Sequence, residues 1–101
     1  MTLDFFVNNY NLSDFDIKKL YIADNKLYVI AKYNVYLELI ANGYRPEMNM
    51  DVEKTFVFDC KHDNIAFKSK TIEIKEFKDN ILYIKINNVD LALTGNVNIL
   101  Q

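Results

Sequence analysis

The stretch Leu27-Tyr28-Val29-Ile30-Ala31-Lys32-Tyr33-Asn34-Val35-Tyr36-Leu37-Glu38-Leu39 carries an apolar or aromatic side chain at every odd position. Successive side chains of an extended backbone point to opposite faces, so this period of two predicts one long strand with its odd face turned to a core. The even positions mix Tyr28, Ile30 and Tyr36 with Lys32, Asn34 and Glu38, which predicts a second face that is only half covered. A helix over Val35 to Ala41, closed by Asn42-Gly43, is the competing reading. It would be two turns long with no N-terminal cap, and the unbroken alternation from Leu27 favours the strand.

The same period recurs on both sides. Phe56, Phe58 and Cys60 alternate with Thr55, Val57 and Asp59, Ile72 and Ile74 with Glu73 and Lys75, and Leu82, Ile84 and Ile86 with Tyr83 and Lys85. Toward the C-terminus Val89, Leu91, Leu93, Val97 and Ile99 share a face on which Gly95 falls, so Gly95 reads as a bulge or bend. Upstream, Phe15 and Ile17 lie at odd positions but Leu20 and Ile22 at even ones, and a bulge at Lys18-Lys19 would restore the face. Leu3 to Leu12 can form one or two amphipathic helical turns.

Asp24-Asn25, Asp63-Asn64, Asp79-Asn80 and Asn87-Asn88 each separate two such runs, and Asp and Asn tolerate the left-handed backbone that tight hairpins need. Asn42-Gly43 is a fifth turn signal. Pro46 follows it and lacks a ladder donor, so residues 43 to 53 read as the longest loop. The predicted architecture is one domain over residues 1–101: a mostly β, antiparallel meander of six to eight strands, closed as a small sandwich or open barrel, with at most one short helix.

Composition sets the limits on function. The 101 residues are half hydrophobic, with 7 Phe and 7 Tyr, which excludes disorder as the main state and supports one modest core. Twelve Lys and Arg against 14 Asp and Glu leave a net charge of −2, which signals neither a polybasic nucleic-acid binder nor an acidic tail. The first residues lack a basic segment followed by an apolar core, and no apolar run reaches the roughly 20 residues of a membrane span. With one unpaired cysteine, these features lead to the expectation of a cytoplasmic protein.

Chemistry-bearing residues are sparse. Cys60 and His62 share a strand face beside Asp59 and Asp63, but a structural zinc site takes four ligands and the chain holds no second Cys or His. Cys60 then reads as a small buried hydrophobe and His62 as solvated. Asp14 with Asp16, Asp51 with Glu53, and Glu73 with Glu76 are carboxylate pairs with nothing in the sequence to split their pKa values. Glycine-rich phosphate loops and nucleophile motifs are absent, so neither an enzyme nor a cofactor is expected. Residues 61 to 85 hold six Lys around Phe67 and Phe77, the ingredients of a single-stranded nucleic-acid platform, but four interleaved acids reduce the local charge to a feeble phosphate field.

The best candidate contact surface is the segment around the long loop. Tyr36, Tyr44, Arg45, Glu47, Met48 and Met50 fall there, and Tyr, Met and Arg are enriched where proteins touch. In composition and meander the chain resembles small immunity proteins and phage-type inhibitors, a likeness that carries no residues across. The expected function is a small intracellular module, bacterial or phage in type, that binds a protein target stoichiometrically. The alternatives are a small-molecule-binding barrel lined by Phe56, Phe58 and Tyr83 or their neighbours, and a homo-oligomeric structural protein, such as a homodimer, joined through an edge strand, for which the long run from residue 26 to 41 is the candidate.

Overall fold

The computed structural model describes residues 1–34 and 51–100. Seven strands run through them: β1 Asp16–Ala23, β2 Lys26–Asn34, β3 Asp51–Asp59, β4 Ile65–Phe67, β5 Glu73–Lys78, β6 Ile81–Ile86 and β7 Val89–Leu100. A helix, α1 Leu3–Asn9, and a 3-10 turn, Leu12–Asp14, precede them. Every pairing is antiparallel, and the sheet order is β4-β1-β2-β3-β7-β6-β5. The predicted mostly β, antiparallel architecture with one short helix is therefore what forms, as a curled half-barrel.

Three of the Asp/Asn pairs turn hairpins for the expected reason. Both residues of Asp24-Asn25, Asp79-Asn80 and Asn87-Asn88 have positive φ, between 48° and 67°, the backbone of a two-residue turn that matches the twist of the strands it joins. The fourth pair does something else. Asp63-Asn64 lies between β3 and β4, which do not pair; β4 crosses the end of the β1–β2 hairpin and adds to the far edge of β1. Two hydrogen bonds pin that crossing: Cys60 N donates to Asn25 O (3.0 Å), and Asp24 N donates to Asn64 Oδ1 (3.2 Å). The predicted loop is also shorter at its end, because Asp51-Val52-Glu53 pair with Lys32 to Asn34 as the start of β3.

The bulges fall where alternation breaks. Between Ile17 and Lys19 the β1–β2 register skips one residue, so Lys18 is extra, and Leu20 and Ile22 return to the buried face. β2 buries Leu27, Val29, Ala31 and Tyr33 and leaves Lys32 exposed. Its continuation past Asn34 lies outside the described residues. From Lys26 to Asn34 β3 lies on one side, and β1 covers the other up to Lys32, so this part of the long run is central in the sheet.

The curl follows from chain length. A five-residue link, 68–72, joins β4 at one edge to β5 at the other. Six Cα steps reach at most about 22 Å, whereas six strand spacings across a flat sheet measure about 29 Å. The edges must bend toward each other.

β7 makes the bend. Its residues 89–93 pair with β6 and its residues 94–100 with β3, so it leaves one half of the sheet and enters the other at Thr94-Gly95-Asn96. Strands that switch halves do so at bends or bulges. Gly95 has φ +71°, a backbone that favours glycine, and a Cβ there would also meet the Asp59 carboxylate, which would have to shift. Just beyond, Met1 and Val97 exchange both backbone hydrogen bonds (2.9 and 2.8 Å), and Thr2 bridges to Asn96.

The concavity is filled by α1. Leu3, Phe6, Val7 and Tyr10 recur at i, i+3, i+4 and i+7, an apolar stripe along one helix face. Thr2 caps the helix by accepting from Phe5 N at 3.1 Å. Leu3 and Phe6 are buried in the cluster formed by Leu27, Val29, Phe56, Phe58, Leu82, Ile84, Leu93 and Val97. Among the described residues no helix is long and apolar enough to cross a membrane.

Candidate functional site

The six loop residues predicted to contact a partner, Tyr36, Tyr44, Arg45, Glu47, Met48 and Met50, lie outside the described residues. The described residues offer a different site, built from the N-terminal segment.

Where α1 ends, Tyr10 turns extended while its N–H still donates to Phe6 O (2.8 Å), and Asn9 Nδ2 donates back to Phe5 O (2.8 Å). Asn11 then caps the 3-10 turn, its Oδ1 accepting from Ser13 N at 3.1 Å. These local bonds carry the chain across one end of the half-barrel and deliver Phe15 to the start of β1. The rings that result are mutually packed. Phe6 stacks on Tyr10 at 5.1 Å, Phe15 lies 5.3 Å from Tyr33 and 5.0 Å from Phe56, and Phe6 meets Phe58 edge-on at 5.2 Å. Such offset and edge contacts add to what burial alone contributes.

Beside this cluster lies a cleft of about 510 Å³. Phe6, Tyr10, Phe15 and Tyr33 line one part of it, and Ile74 of β5 and Leu82 of β6 another. Asn8, Asn9, Asn11 and Asp14 add amides and one carboxylate to the lining. A largely apolar hollow of this size with a few convergent polar groups is the usual form of a small-molecule site. Asp14 is the one charged residue among the described lining residues, so the described part of the lining is acidic.

The barrel-interior site proposed from alternation is corrected by this arrangement. Phe56 and Phe58 do face inward, but α1 occupies the interior and both are fully buried. Tyr83 pairs with Ala92 and Glu76 on the opposite face and is 36% exposed, because β6 turns Leu82, Ile84 and Ile86 inward. The cleft residue Tyr10 was missed by strand alternation; its signal was the helical stripe, of which it is the last member at the end of α1. Phe15 was read with Ile17 as a strand residue, with nothing in that pattern to mark it as lining a cleft.

The reactive residues stay apart. Cys60 is buried, and that burial pushes its thiol pKa up, away from nucleophilic reactivity. His62 Nδ1 lies 2.8 Å from Asp63 O at the surface. Among the described residues no group of three His, Cys, Asp or Glu side chains is placed to hold a metal ion. Phe67 on β4 and Phe77 on β5 are partly buried and pack against the core.

The convex face carries one further aromatic feature. Tyr21 and Tyr28, opposite each other on β1 and β2, stack at 4.7 Å and 10°, with Lys19 Nζ 5.3 Å above the Tyr21 ring. A shallow depression of about 390 Å³ between Lys19, Tyr21 and Ala66 adjoins them. Comparison with protein-family models, curated proteins and solved structures finds no match to this chain.

Proposed function

We propose that the protein is a non-catalytic binding protein whose site is the aromatic cleft at the end of the half-barrel. The observation that carries this is the cleft itself: four packed rings and four aliphatic side chains beside three amides and a carboxylate. The ligand class that fits is a small neutral or cationic molecule with a planar apolar body and hydrogen-bonding groups at one edge. Nile red, a neutral planar dye, is a direct probe. Titration should give saturable, one-site fluorescence enhancement, and Val7→Trp, which fills the cleft from the half-buried face of α1, should abolish it. Absence of saturation, or equal binding by the variant, would refute the reading.

A second reading is a cytoplasmic, stoichiometric protein binder of the immunity or inhibitor kind. It is favoured by the half-buried Tyr21–Tyr28 stack under Lys19, residue types suited to a protein contact. Its test is whether a partner retained from lysate by the wild-type chain is lost with Tyr21→Ser and Tyr28→Ser together. A partner that stays bound to the double variant removes this surface from consideration.

A further inference from the structure

The two edges of the sheet are unlike. β4 is three residues long, too short to template another strand. β5 offers six residues, Glu73-Ile74-Lys75-Glu76-Phe77-Lys78, paired with β6 on one side and, among the described residues, with no strand on the other. Five of the six are exposed, including Ile74 at 44%.

This segment is complementary to itself when reversed. Antiparallel pairing about a two-fold axis between Lys75 and Glu76 sets Glu73 opposite Lys78, Ile74 opposite Phe77 and Lys75 opposite Glu76, each pair occurring twice. The faces agree with that register. Ile74 and Phe77 oppose Ile84 and Leu82 of β6 on the core side, while Glu73 and Glu76 oppose Lys85 and Tyr83 on the outer side. A slip of two residues in one direction sets Glu73 against Glu76, and in the other Lys75 against Lys78, so like charges penalise the neighbouring registers. The β5–β6 register also skips Lys75, which is the extra residue of a bulge. Across the two-fold each copy presents the same irregularity at the same place, whereas a regular strand would have to break its own ladder to follow it.

We propose that β5 is a self-association edge joining two copies of this chain in an isologous antiparallel dimer. Pairing exchanges the exposed Lys75–Glu73 ion pair (2.9 Å) within each strand for ion pairs between copies, and it covers Ile74. Because Ile74 also lines the aromatic cleft, Phe77 of the partner subunit arrives at the cleft's margin. The inference does not depend on the cleft holding a ligand.

Light scattering after size exclusion provides the test. The wild-type chain, of 11.9 kDa, should show twice its mass at the highest soluble concentration. Lys75→Glu alone and Glu76→Lys alone should each run at the single-chain mass, since each places like charges across the axis. Mixed in equal amounts, the two variants regain opposite charges at both positions, and native mass spectrometry should find the heterodimer. A monomeric wild type, a dimer indifferent to both substitutions, or a mixture that stays monomeric would each overturn the proposal.

Discussion

Replacing Gly95 with alanine tests whether the corner of the half-barrel depends on one left-handed residue. At φ +71° an alanine holds its Cβ against the following carbonyl, which costs about 1–2 kcal/mol of native stability. For a domain of this size each kcal/mol lowers Tm by about 4–8 °C, so the backbone part alone predicts a drop of about 4–16 °C. The collision with the Asp59 carboxylate comes on top of this. Asp59 is half exposed and its Oδ1 is bound to Lys26 at 2.9 Å, so moving the carboxylate aside disturbs that ion pair. The two contributions separate in a double-mutant cycle measured by urea denaturation. Asp59→Ala removes the carboxylate but keeps the Asp59 Cβ position, which at 3.7 Å makes only ordinary contact. Gly95→Ala should therefore cost less in the Asp59→Ala background than in the wild type, with the remainder near the backbone figure. A Gly95→Ala chain as stable as wild type would refute the strain argument. An identical cost in both backgrounds would refute the collision.

Two other outcomes follow from the core. Phe6→Ala empties the position where α1 meets Phe56 and Phe58, and should lower stability by about 3–5 kcal/mol in urea melts while leaving far-UV evidence of the sheet intact at low denaturant. Cys60 holds its proton longer folded than unfolded, because burial raises its pKa, so the folded state binds more protons above the ordinary thiol pKa of about 8.5. Its contribution to stability is thus constant near neutral pH and lost as pH rises from that value through the raised pKa of the folded state; Cys60→Val should flatten this part of the pH profile, and an unchanged profile would show that the thiol plays no part.

Much of the fold was legible because its signals are local. Alternation places Leu27, Val29, Ala31 and Tyr33 inward, and the skip between Ile17 and Leu20 marks the Lys18 bulge, since a one-residue slip reverses every side chain after it. Asn and Asp pairs announce left-handed turns wherever two strands actually pair. Asp63-Asn64 shows the limit: the dipeptide is the same, but whether the next strand returns to β3 or crosses to β1 is decided by long-range contacts such as that of Asp24 with Asn64. The cleft was illegible for a similar reason. Tyr10 with Phe15, Tyr33, and Ile74 come from three separate segments, and only the curl brings them to one hollow. The expected contact residues from Tyr36 to Met50 lie outside the described residues, so the cleft and the expected loop are separate proposals.

The partner switch in β7 also orders assembly in time. Hairpins β1–β2 and β5–β6–β7 close over turns of two residues and can form as soon as their own strands exist. The β3–β7 ladder, from Thr55–Leu100 to Asp59–Thr94, spans far more chain, and among the described residues it is the only strand pairing that joins β4-β1-β2-β3 to β7-β6-β5. During synthesis β3 therefore waits with one edge open until residues 94–100 have emerged. Over that interval the nascent chain exposes a strand carrying Phe56, Val57 and Phe58, and the rate of completing the C-terminal strand sets how long it remains open to wrong pairing.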